Sequence, residues 1–113
     1  MTNQYSDQIN NWLKQLSDIR QENALIKFRL SELVDKSIMS EFLHKAEVLQ
    51  SELLENDETI ALLYDSAIHI ESKLNNNNHR VYTHYLAKKK QLEEDLKIFA
   101  GRFLLLKKRF NDE

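Results

Sequence analysis

Apolar residues recur at alternating three- and four-residue spacing along nearly the whole chain, in three separate runs. The first is Ile9, Trp12, Leu16, Ile19, Asn23, Ile26, Leu30 and Leu33. The second is Met39, Phe42, Ala46, Leu49, Leu53, Asn56, Ile60, Leu63, Ala67, Ile70 and Leu74. The third is Tyr82, Tyr85, Lys89, Leu92, Leu96, Phe99, Phe103, Leu106 and Phe110. Such spacing lines one stripe of an α-helix with side chains that must be covered, as in the a/d seam of a coiled coil. Almost nothing interrupts these runs. The 113 residues include no proline and one glycine, and those residues cost about 3 and about 1 kcal/mol inside a helix.

The runs predict helices over about residues 6–34, 38–74 and 79–110. Ser6, followed by Asp7, is a candidate N-cap for the first, and Ser37 or Ser40 for the second. The second run keeps its phase from end to end, so one continuous helix is expected despite a candidate new start at Asn56-Asp57. About 36 residues at 1.5 Å each give roughly 54 Å. Asn75-Asn76-Asn77-Asn78 is the clearest loop, because asparagine tolerates left-handed backbone and competes for local hydrogen bonds.

Three helices of similar length with short links imply an all-α, elongated antiparallel three-helix bundle with coiled-coil-like heptad packing. At this length the whole chain, 1–113, is expected to form one domain. The middle helix carries further apolar residues beside its seam: Leu43, Val48, Leu54, Leu62, Tyr64 and Ile68. A wide apolar face of that kind suits a helix touching two neighbours. In length and helix pattern, with Trp12 on the first helix, the chain is similar to a single spectrin-type repeat. The likeness is one of architecture and implies no activity.

Charge agrees with side-by-side packing. The chain is 42% apolar and 30% charged with a net charge of −2, a composition that suits a folded helical protein. Residues 1–78 carry 7 Lys+Arg against 13 Asp+Glu, whereas residues 79–113 carry 9 against 5. An acidic front and a basic last helix attract, which sets orientation more than stability. The chain has no cysteine, so stability must come from the core and thiolate chemistry is excluded. Residues Met1 to Asp7 lack the pattern of a secretory signal, and no stretch is long and apolar enough to span a membrane. A cytoplasmic location is expected by elimination.

Several features bear on function. Asn23 and Asn56 interrupt otherwise apolar seams, and a buried asparagine can fix register and partner number. They are candidates to pair with each other or across a dimer. Leu25 and Phe28 on the first helix, and Ile98 and Leu105 with Gly101 on the third, fall off the seams. With Tyr64 they form a candidate interface, since clustered off-seam apolar residues mark partner surfaces. Replacing Leu105 by Asp is expected to cost little stability and to weaken self-association.

Other chemistry finds little foothold. Glu41-x-x-His44 is half of a di-iron arrangement and lacks its second half. Asp65 with His69 lacks a third ligand, and His79 with His84 is poorly spaced for one helix face. Lys88-Lys89-Lys90 and Lys107-Lys108-Arg109 could meet phosphates, yet acidic Glu93-Glu94-Asp95 separates them, and nucleic acid is not the expected partner. Neither a catalytic constellation nor a cofactor, metal or small-molecule site is expected. The sequence reads as a non-enzymatic interaction or scaffold module that binds protein, most simply a second copy of itself. The alternatives are a passive spacer and a ligand- or metal-binding bundle. An extended or helix-exchanged dimer would bury the same seams as a monomeric bundle.

Overall fold

The computed structural model of the protein describes residues 4–36, 39–74 and 79–112. They form three helices: α1 (Gln4–Lys36), α2 (Ser40–Leu74) and α3 (His79–Asp112). No strand occurs among the described residues. The molecule measures 61 × 22 × 18 Å, with a radius of gyration of 17.8 Å. A compact chain of this length would have a radius of about 13 Å, so this is a rod whose length is set by its helices.

The seams become the core. α1 buries Ile9, Leu16, Ile19, Ile26 and Leu30, while α2 buries Ala46, Leu53, Ile60, Leu63, Ala67, Ile70 and Leu74. From α3 come Leu92, Leu96, Phe99, Phe103 and Leu106. Each large apolar side chain moved from water to such a core contributes about 1.5–3 kcal/mol. α2 runs unbroken through Asn56 and Asp57, as its constant phase requires.

Cross-helix pairs give the direction of each helix. Arg20 and Tyr64 line one α1–α2 groove, and Val34 and Gln50 line another, so rising numbers in α1 meet falling numbers in α2. Glu52 pairs with Arg109, and His69 meets Tyr85, so α2 and α3 are also antiparallel. α1 and α3 run parallel, joined by Glu22–Lys107 at 3.0 Å and by Lys89 lying 5.2 Å from the Trp12 ring centroid.

The three pairs are not equivalent. α1 and α2 meet most extensively and α1 and α3 least. Side-chain size accounts for the order. The buried α2 positions include Ala46 and Ala67, which allow close approach. Trp12 on α1 and the phenylalanines of α3 are bulkier, and bulky contacts widen the spacing between helices.

Details at the helix ends differ from expectation. α1 begins at Gln4, so Ser6 lies inside the helix and is not its N-cap. α2 begins at Ser40, not at 38, and Ser40 is its first helical residue. The Met39 carbonyl accepts the first backbone bond, from Leu43 N at 3.0 Å. Ser37 and the four asparagines at 75–78 lie outside the described residues. Leu33 and Met39, assigned to the seams, are exposed, and Val34 packs against the core on α1 instead.

Candidate interaction surface

Two arrangements stand out: a polar plug inside the α1–α2 seam, and apolar side chains left outside it. The plug is built around Asn23, whose side chain is fully buried. Its Nδ2 donates to the Leu53 carbonyl at 2.9 Å and to Asp57 Oδ1 at 2.9 Å. Its Oδ1 accepts from Asn56 Nδ2 at 3.1 Å. Asp57 also accepts from Lys27 Nζ. A buried amide without partners costs about 1–3 kcal/mol. Here no buried side-chain polar atom among the described residues lacks one.

The structure brings Asn23 and Asn56 together, and it adds Lys27 and Asp57, which the seam pattern did not reveal. Spacing places both beside the seam but does not pair them. Lys27 follows Asn23 by one helical turn, and Asp57 adjoins Asn56, so both flank the seam on the sides where α1 and α2 face each other.

The off-seam residues fall on several faces. Leu25 and Phe28 point outward from α1, and Phe28 is 64% exposed. Ile98 and Leu105 are exposed; Leu105 lines a groove between α3 and α2, and Ile98, seven residues earlier, falls on the same side of α3 by helix periodicity. Gly101 is exposed, and a Cβ built there meets nothing within 4 Å. Tyr64 is half-buried, packed against the core and lining the α1–α2 groove with Arg20, Lys27 and Asp57. The side residues of α2 differ from expectation. Val48, Leu54, Leu62 and Ile68 do not help α2 reach its neighbours; they face solvent, Leu62 at 69%. A helix packed between two others buries the positions flanking its seam, and those four lie one step further round.

Val48 lines a groove with Arg109 and Phe110 on the α3 side of α2, and Leu62, seven residues from both Glu55 and His69, falls on that side by helix periodicity. The Glu52–Arg109 pair sets the register. Leu62 lies ten residues past Glu52 and Ile98 eleven before Arg109, so both sit about 15 Å along the rod from that pair. The α2–α3 face therefore carries Val48, Leu62, Ile98 and Leu105 around a groove of about 660 Å³ lined by Glu52, Glu55, Asn56, Arg102, Leu105, Leu106, Lys108 and Arg109. Glu55, Arg102 and Lys108 make no ion pair within the described chain.

No family model, curated protein or solved structure matches the chain. The site must be read from its own chemistry.

The basic clusters are largely engaged. Lys88 lies 5.7 Å from the Tyr85 ring centroid, Lys89 stacks on Trp12, and Lys107 and Arg109 pair with Glu22 and Glu52. His69 meets the Tyr85 hydroxyl at 3.4 Å, and His84 stands edge-on to the same ring. Among the described residues no three His, Cys, Asp or Glu side chains gather where a metal could bind. No helix among them is long and apolar enough to cross a membrane.

Proposed function

We propose that this protein is a non-enzymatic interaction module that self-associates through exposed helical surfaces. The observation that carries the reading is the set of large apolar side chains left in water, Phe28, Leu62, Ile98, Leu104 and Leu105 among them, each about 60% exposed or more. Single exposed apolar residues are ordinary; several on one rod-shaped surface mark a partner. The accessible surface supports it too. At 8294 Å² it exceeds by roughly a quarter what a compact monomer of this mass exposes. The same reading places the protein in the cytoplasm, where a bundle standing on apolar packing needs no disulfide.

Light scattering after size exclusion, across a hundredfold dilution, tests it. Self-association gives twice the 13.5 kDa of the chain, falling toward the monomer on dilution, and Leu105→Asp shifts the mass downward without loss of helicity. A mass of 13.5 kDa at every concentration contradicts it. That outcome would favour the second reading, a passive spacer, which draws on the 61 Å length of the rod.

A further inference from the structure

Resting on the self-association reading, we infer that the partner is a second copy docked on the α2–α3 face, with the dimer two-fold axis running along the rod. The three outer faces differ in what they offer. The α1–α2 face presents Phe28, Leu54 and Ile68, but its central charges, Lys27 and Asp57, already pair within the chain. The α1–α3 face presents little beyond Leu25 and Leu104. The α1–α2 groove also holds Arg20 and Asp65 without an ion pair in the described chain, but beside three exposed apolar residues; the α2–α3 face sets four exposed apolar residues beside unpaired Glu55, Arg102 and Lys108.

Within the central groove those charges are segregated, Lys45 of α2 lying beyond it beside Val48. Glu52 and Glu55 stand on the α2 side, and Arg102, Lys108 and Arg109 on the α3 side. Only some dimer symmetries use this arrangement. An isologous interface places the same patch on both copies. With the axis across the rod, α2 lies on the partner's α2, acid on acid, which costs stability. With the axis along the rod, α2 lies on the partner's α3 at the same level. Glu52 and Glu55 then face the partner's Arg102 and the partner's Lys108, and Leu62 meets the partner's Ile98. A face on a rod 61 Å long and about 20 Å wide exceeds the roughly 800 Å² per partner of a standard stable interface.

The absence of cysteine from the sequence makes the geometry directly testable. Leu62→Cys and Ile98→Cys chains are purified separately, mixed in equal amounts and gently oxidised, alongside light scattering of the unaltered protein. Both substitutions fall on exposed positions, and unchanged far-ultraviolet circular dichroism verifies that each variant folds. Disulfides form only where Cα atoms come within about 7 Å. The expected product is the mixed disulfide, joining one Leu62→Cys chain to one Ile98→Cys chain, well above the half that random pairing yields. As a second arm, Glu55→Arg or Arg102→Glu alone weakens self-association about tenfold, and the two together in one chain restore it.

An unaltered chain that dimerises while the cysteines pair at random, or like with like, or not at all, overturns the face and the axis but leaves self-association standing. An unaltered chain that is monomeric at every concentration overturns both the dimer geometry and the self-association reading.

Discussion

The α1–α2 seam and the α2–α3 face contain the same kinds of residue and treat them in opposite ways. In the first, polar groups are enclosed and satisfied: Asn23 is fully buried with three hydrogen bonds, and Asp57 is shared with Lys27. In the second, charged groups line an open groove, and Glu55, Arg102 and Lys108 form no ion pair within the described chain. Small side chains explain part of the contrast, since Ala46 and Ala67 let α1 and α2 close on each other. One seam is finished inside the chain, whereas the other face leaves charged and apolar groups open to solvent.

The largest expected effect lies in the finished seam. Leu53 is fully buried at its centre, and Leu53→Ala should lower unfolding free energy by about 2–5 kcal/mol, measured by urea denaturation. Leu62→Ala, on the open face, should change monomer stability by less than about 0.5 kcal/mol. Equal losses would erase the distinction between the two regions.

Next comes the plug. Asn23→Ala strands the Asn56 amide and removes a donor to Asp57, at a cost of about 1–3 kcal/mol. Replacing both Asn23 and Asn56 by Leu should recover most of that loss, since well-packed apolar residues often match a buried polar group. A double-mutant cycle that returned no coupling would mean the two amides act separately.

Smaller effects sharpen the comparison. Gly101→Ala should stabilise the protein by about 0.5–1 kcal/mol, because the helix gains propensity and the new methyl meets nothing within 4 Å. A methyl is small, so the solution mass should change little; a fall to the monomer would show that the partner's backbone approaches closely at Gly101. Removing the exposed Arg109–Glu52 pair through Arg109→Ala should cost no more than about 1 kcal/mol. Repeating the urea titration in high salt should shrink that difference.

Much of this fold is written in spacing. The buried residues of all three helices fall within the three heptad runs, and the unbroken phase through Asn56 foretells a continuous α2. Periodicity also identifies Leu25, Phe28, Ile98 and Leu105 as lying off the seams. What it does not contain is the direction in which neighbours sit. The breadth of the apolar face on α2 suggests a helix buried on two flanks, yet Val48, Leu54, Leu62 and Ile68 stay exposed. The ends are illegible for a different reason. Leu33 keeps its heptad place but is exposed near the end of α1, and serines such as Ser6 are common inside helices as well as at their caps. The Lys27–Asp57 component of the plug needs the register between α1 and α2, and one helix alone does not encode it.

The central claim is that the open α2–α3 face is completed by a second copy. Its most direct test is light scattering of the unaltered chain beside Leu62→Glu at one high concentration, with helicity followed in both. Twice 13.5 kDa is expected for the first and 13.5 kDa for the second, at equal helicity. A monomeric unaltered chain, or a Leu62→Glu variant that stays dimeric, would contradict it.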